Sequence, residues 1–192
     1  MVDITVIGVN EVRLRSSDTD LSEIALGVIG RVGIKAGQTV LDFGCGSGVY
    51  TIPLARVVGE QGKVYALDKD RHALDSLMQK AGASGLTNIK RLDTSGGTRI
   101  ALANDSVDVV FLFDVFHYYY FSSVPERQDL LSEISRLLKP GGCLSVYPKH
   151  MESEARAEIE KYGFVIQNDF SITLIHNRID TIKGQIMNFR KK

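Results

Sequence analysis

One stretch of ten residues constrains this chain more than any other: Thr39-Val40-Leu41-Asp42-Phe43-Gly44-Cys45-Gly46-Ser47-Gly48. A short apolar run ends in an acid, and three glycines follow at alternate positions. An apolar, helix-like segment, Val49 to Val58, comes next. Strand, glycine-rich turn and helix together open a nucleotide-binding βαβ unit. The glycines allow backbone angles closed to other residues and let a ligand approach bare main chain. The start of the following helix, with free N–H groups and a positive dipole end, favours a carboxylate or another anion there.

Spacing narrows the choice of nucleotide. A dinucleotide site reads G-x-G-x-x-G, with a pyrophosphate resting on the helix start. Here the pattern is Gly44-x-Gly46-x-Gly48, with Asp42 two residues before the first glycine. No Gly-Lys-Ser/Thr follows the turn, which excludes a P-loop. A carboxylate at the mouth of a pyrophosphate site would repel its ligand, but it suits a ligand carrying an ammonium group.

Asp42 to Gly48 resembles the glycine motif of the class I S-adenosylmethionine-dependent methyltransferases. The rest of the chain keeps step with that family. Twenty residues beyond Gly48, Val64-Tyr65-Ala66-Leu67-Asp68 ends a second apolar strand in an acid. Leu137-Leu138-Lys139-Pro140-Gly141-Gly142 is similar to the turn before the family's fifth strand. The resemblance covers roughly Asp20 to the C-terminus and implies S-adenosylmethionine as cofactor and a small molecule as methyl acceptor.

It also implies an α/β fold: a doubly wound, seven-stranded, mostly parallel sheet with a C-terminal antiparallel hairpin. The expected layout is one domain, with an N-terminal arm over 1–18, a cofactor-binding core over 19–150 and a helix and hairpin over 151–192. A chain of 192 residues is long enough to build that core.

From Asp20 the apolar residues Leu21, Ile24, Ala25, Val28, Ile29 and Val32 recur at helical spacing, and Asp20 with Glu23 reads as a capping box. The apolar run from Thr39 that ends in Asp42 is the first expected strand, and others are expected over 63–67, 89–92, 107–113 and 143–147. Helices are expected over 70–83, from Pro125 to Leu138 and over 152–162. Phe164 to Ile175 and Lys183 to Arg190 alternate like a hairpin. Residues 1–17 alternate loosely and read as a strand or a loose arm. Strands alternating with helices imply a parallel sheet, with the ligand crevice at the carboxyl ends of its strands.

The resemblance assigns Asp42 to the cofactor's ammonium group and Asp68 to its ribose diol. Asp93 falls where the family contacts the adenine amino group. The neighbours Phe43, Gly44, Cys45, Gly46, Gly48, Lys69, Thr94 and Phe113 complete the expected cofactor set. Bland roles stand beside these: each strand-end acid also suits a helix cap or a solvated position, and Cys45 reads as a small residue in a tight loop rather than a nucleophile.

The loop Asp114 to Tyr120 borders the acceptor side in that family. Asp114, His117 and Tyr118 are the catalytic candidates here, with His117, of ordinary pKa about 6.5, as a proton acceptor. The competing reading is that these rings pack against the next helix. A base is not obligatory, because a sulfonium methyl is already electrophilic and alignment alone supplies rate.

The charge balance is even, with 23 Lys and Arg against 23 Asp and Glu. Nothing draws the whole chain to nucleic acid or an anionic membrane, although Lys183, Arg190, Lys191 and Lys192 form a basic C-terminal group. A methyltransferase acting on RNA or protein and a domain that only holds the cofactor are the rival readings. Two cysteines make no disulfide framework, and the four histidines, 72, 117, 150 and 176, lack ligand spacing, so no metal is expected. Without a leader or a long apolar run the expected location is the cytoplasm. Only about 19 residues precede the first helix, so the acceptor pocket is open, closed by a second copy in a homodimer, or covered by residues 1–17.

Overall fold

The structure is a computed structural model that describes residues 4–6, 12–15, 18–176 and 180–192. In chain order the elements are β1 (Ile4–Val6), β2 (Val12–Arg15), α1 (Asp18–Val32), β3 (Thr39–Phe43), α2 (Thr51–Val58), β4 (Lys63–Asp68) and α3 (Arg71–Ala83). Then follow β5 (Ile89–Asp93), β6 (Val107–Phe113), α4 (Val124–Leu137), β7 (Leu138–Tyr147), α5 (Ala155–Lys161), β8 (Phe164–His176) and β9 (Asp180–Lys191).

Among the described residues, nine strands join one sheet in the order β1-β2-β9-β7-β6-β3-β4-β5, with β8 paired to β9. The five strands β3 to β7 run parallel, and β9 and β8 are antiparallel. The expected seven strands are therefore present, and the β1–β2 hairpin extends them. The winding reverses between β3 and β6, the place where an open α/β sheet leaves a crevice.

Alternation along β6 shows how the layers form. Val109, Phe111 and Phe113 pack toward α1, α2 and α3, while Val110 and Leu112 pack toward α4 and α5. Such a strand, covered on both faces, must be apolar throughout. Each fully buried aliphatic or aromatic side chain contributes about 1.5–3 kcal/mol.

Helix boundaries follow local chemistry. Asp70 caps α3, its Oδ1 accepting from Ala73 N at 3.1 Å. Ser123 and Glu126 form a reciprocal capping box at the start of α4, with Pro125 in its first turn. Three boundaries differ from the sequence expectation. α1 begins at Asp18, so Asp20 lies inside the first turn, where an acid suits the helix dipole, and is not the cap. Leu138 takes extended angles, φ −68 and ψ 133, and opens β7 just ahead of Lys139, the residue that Pro140 keeps from helical angles. The register between β6 and β7 skips from Val107/Leu138 to Val109/Cys143, so Lys139 to Gly142 bulge out of the strand. α5 is shorter than expected, starting at Ala155.

β9 pairs with β7 only over Cys143–Val146, and its first residues continue past the carboxyl end of β7. There Thr181 and Asp180 pair with Leu14 and Arg15 of β2. The N-terminal hairpin thus adjoins the end of the sheet where the crevice opens. The remainder of the N-terminal arm lies outside the described residues. Among the described residues, no helix is long and apolar enough to cross a membrane.

Candidate functional site

A cleft of about 420 Å³ opens at the carboxyl ends of β3, β4 and β6. The glycine turn forms its floor. Gly44 and Cys45 donate backbone N–H groups to Leu67 O at 2.8 and 3.1 Å, which ties the turn to the end of β4. Gly44, Gly46 and Gly48 all have positive φ. Added bulk would also collide: a Cβ on Gly44 would lie 2.5 Å from Val115 Cγ2, and one on Gly48 would lie 2.2 Å from Leu77 Cδ1.

Asp42, one residue before the end of β3, lines the cleft and is only 5% exposed. Its Oδ2 accepts from Thr51 Oγ1 at 2.6 Å. Burial pushes its pKa up to about 6, against the help of the Thr51 hydroxyl and with a further push from the Asp68 charge. Asp68 ends β4, and its two oxygens accept from Gly46 N at 2.7 Å and Asp70 N at 2.9 Å. Both carboxylates line the cleft, as do Phe43, Gly44, Cys45, Gly46, Lys69, Thr94 and Phe113 from the expected set. Gly48 sits behind them, supporting α2 against Leu77. Cys45 is buried and its thiol is held protonated, chiefly by desolvation and then by Asp42 and Asp68.

Asp93 is placed differently. Arg91 grips both of its oxygens, Nε to Oδ2 at 2.9 Å and NH2 to Oδ1 at 2.8 Å. These bonds, with Arg71 nearby, hold its pKa below the usual carboxylate range. Thr94, Gly96 and Gly97 form the cleft wall at that corner.

The second half of the cleft is aromatic. Phe113, Val115, Tyr120 and Phe121 surround Asp114, and the Lys69 ammonium lies 5.0 Å from the centre of the Tyr120 ring across the mouth. Asp114 adopts φ +56, in the left-handed region, and its backbone N–H donates to Tyr147 O at 3.1 Å. That conformation turns the chain sharply off β6.

His117 and Tyr118 are not brought to the cleft with it. His117 is buried, its Nε2–H donates to Asp114 O at 3.1 Å and its Nδ1 accepts from Tyr119 N at 3.2 Å. Burial lowers its pKa, so the ring is neutral, with both nitrogens spent on the turn. Tyr118 stands under the Arg127 guanidinium at 5.1 Å, on the α4 side. Of the three catalytic candidates, Asp114 alone lines the cleft.

Two contacts that the sequence reading did not anticipate come from β8, far away in the chain. Ile175 N donates to Tyr50 Oη at 2.9 Å, and both residues line the cleft. His176 brings Nδ1 to 2.7 Å of Asp114 Oδ2. The Tyr50 ring meets Phe113 edge-on at 5.1 Å, and burial raises its hydroxyl pKa. No local motif marks these residues. Thr51, one turn past the last glycine, is the missed residue with a signal, since a hydroxyl there faces back toward Asp42.

Four aspartates, 42, 68, 70 and 114, line the cleft against one lysine, Lys69. An acidic cleft with a glycine floor fits a ligand that carries positive charge and hydroxyl donors, which is the chemistry of S-adenosylmethionine. Among the described residues no group of three or more His, Cys, Asp or Glu is arranged to hold a metal.

Fold and cleft together define a nucleotide-cofactor site of the doubly wound class. Residues 40–142 match the methyltransferase domain family, and the chain belongs to that family, whose cofactor is S-adenosylmethionine. It is 34% identical over 115 residues to a demethylmenaquinone methyltransferase of Geobacillus stearothermophilus, a match over 60% of this chain and 47% of that protein. The chain therefore spans about half the length of this curated relative. A SAM dependent methyltransferase from Aquifex aeolicus shares the fold, with a TM-score of 0.68 at 24% identity, over 89% of this chain and 99% of that one. TrmN from Thermus thermophilus also shares it, with a TM-score of 0.69 at 21% identity, over 89% of this chain and 49% of that one.

Proposed function

We propose that this chain transfers the methyl group of S-adenosylmethionine to a small-molecule acceptor. The observation that carries this reading is the division of one cleft into an acidic half, at Asp42 and Asp68, and an aromatic half around Asp114. Asp42 would hold the ammonium group and Asp68 the ribose hydroxyls, since an ionised carboxylate has acceptor sites beyond the two backbone N–H groups already on Asp68. Thr94, Gly96 and Gly97 would border the adenine, in place of the contact first expected from Asp93.

When bound, the cofactor supplies a methyl carbon that is already electrophilic. The protein's part is positioning and exclusion of water. Phe113, Tyr120 and Phe121 line the half that would take a flat acceptor, and an aromatic lining also favours a nearby sulfonium by about 0.5–2 kcal/mol. The engaged ring of His117 makes it a structural member of this loop, not a base. The curated relative named a demethylmenaquinone methyltransferase supports a small-molecule acceptor. The β1–β2 hairpin beside this end of the sheet supports 1–192 acting as one unit in which the arm adjoins the acceptor side. Two free cysteines fit a reducing compartment such as the cytoplasm.

The test is transfer of label from methyl-labelled S-adenosylmethionine to a panel of phenols, quinols and amines that includes demethylmenaquinol. Labelled product from a panel member supports the reading. Tight cofactor binding with no transfer to any of them would favour a domain that only holds the cofactor.

A further inference from the structure

The Asp114 carboxylate lies between two buried histidines that reach it from different elements. His117 Nε2, on the turn after β6, is 3.8 Å from Oδ1. His176 Nδ1, at the end of β8, is 2.7 Å from Oδ2. The two histidines are not equivalent. His117 spends both nitrogens on its own turn, and its tie to the Asp114 carbonyl is local. The His176 Nδ1 is buried with its ring, and it stands 2.7 Å from an oxygen of a carboxylate on the cleft wall. A ring nitrogen buried in that way is costly unless the neighbouring charge makes use of it.

Asp114 itself is held in a conformation that a non-glycine residue rarely adopts, with φ +56. Such backbone persists only where its surroundings over-determine it. The Tyr147 carbonyl holds its N–H, and the two histidines flank its side chain. Ile175, next to His176, is anchored by the Tyr50 hydroxyl, so the end of β8 is fixed to the same wall.

We propose that His176 is a positioning residue that aims the Asp114 carboxylate into the aromatic half of the cleft, and that the acceptor carries an O–H or N–H group which Asp114 receives. The inference rests on the methyl-transfer reading and narrows it. An ionised carboxylate can only accept, so its partner must donate. The walls of Phe113, Tyr120 and Phe121 make a hydroxyl or amine on a flat ring the best fit. The acceptor atom bonds to the methyl carbon as the methyl–sulfur bond breaks, and the sulfur keeps that electron pair as a neutral thioether. The acceptor's proton passes to an Asp114 oxygen and then to water, which restores the carboxylate.

Binding of two probes tests this on the full chain saturated with S-adenosylhomocysteine. Phenol donates a hydrogen bond, and anisole has the same ring without the donor. Phenol should bind about tenfold more tightly than anisole, the scale of one charge-assisted hydrogen bond. His176→Asn puts an amide N–H near the place of Nδ1 and should keep that preference. His176→Gln reaches past that place and should lose it, and S-adenosylhomocysteine affinity should be equal in all three proteins. Equal binding of the two probes by the unaltered chain, including none of either, overturns the inference. So does a preference kept in His176→Gln or lost in His176→Asn. Failure of the unaltered chain to bind S-adenosylhomocysteine would instead overturn the methyl-transfer reading, and this inference with it.

Discussion

The hydroxyl of Thr51 donates to Asp42 Oδ2 across 2.6 Å, and it is the first residue of α2 supporting the last acid of β3. One neutral donor does not offset the burial of this carboxylate, whose pKa rises from 3.8 to about 6. The folded state therefore binds this proton more tightly than the unfolded chain. The group's favourable contribution is full below pH 3.8 and is lost as the pH rises toward about 6.

Asp42→Asn should accordingly stabilise the free protein at pH 7.5 by about 1–3 kcal/mol and change little near pH 3.5. Denaturant unfolding at the two pH values measures the difference. The same ionisation should govern cofactor binding, because an ammonium ligand selects the charged carboxylate. Affinity for S-adenosylhomocysteine should fall about tenfold for each pH unit below 6 in the unaltered chain and stay flat in the variant. Parallel pH profiles for the two proteins would contradict the assignment.

Asp68→Ala should weaken cofactor binding by about 1.5–3 kcal/mol, the value of hydrogen bonds to a charged group. A strand-end acid at the surface would ordinarily leave stability unchanged. Here the loss strands Gly46 N and Asp70 N, so unfolding free energy should also drop by about 1–2 kcal/mol. Calorimetric titration and denaturant unfolding read the two effects separately.

His117→Ala should destabilise the protein by about 1–3 kcal/mol through the lost hydrogen bonds of the turn and the space left in it. Turnover per folded molecule should fall by less than about tenfold, the effect of a looser Asp114 and not of a lost base. A fall in kcat of about 100-fold with a normal melting temperature would restore His117 as a proton-transfer residue.

Tyr50→Phe removes the hydroxyl that receives Ile175 N. The end of β8 should open more often, by about 1 kcal/mol, which corresponds to roughly fivefold faster amide exchange at Ile175. Unchanged exchange would mean that β8 is held by its pairing with β9 alone.

The fold was legible because its signals are local. The glycine turn, the apolar run of β6, the Asp70 cap and the Gly85 stop each lie within a few residues of the structure they specify. The doubly wound, mostly parallel sheet with its C-terminal antiparallel pair followed from the family resemblance and the structure keeps it, with the β1–β2 hairpin added. Asp42 and Asp68 come to one cleft because they stand at or next to the carboxyl ends of adjacent parallel strands. Asp93 misled because Arg91, two residues earlier, turns back and takes both of its oxygens. The acceptor half was poorly legible. His117 looked available because its hydrogen bonds to the turn depend on the left-handed angle of Asp114, which no spacing reveals. Tyr50 and Ile175 meet across 125 residues, and His176 reaches Asp114 only because β8 folds back along β9.

The central claim is that the acidic half of this cleft is an S-adenosylmethionine site rather than a dinucleotide site. Calorimetric titration of the full chain with S-adenosylmethionine, S-adenosylhomocysteine and NAD at pH 7.5 tests it directly. The account predicts one site for each of the first two ligands, both weakened in Asp68→Ala, and no heat from NAD. Tight binding of NAD, or S-adenosylhomocysteine binding that is unaffected by Asp68→Ala, would contradict it.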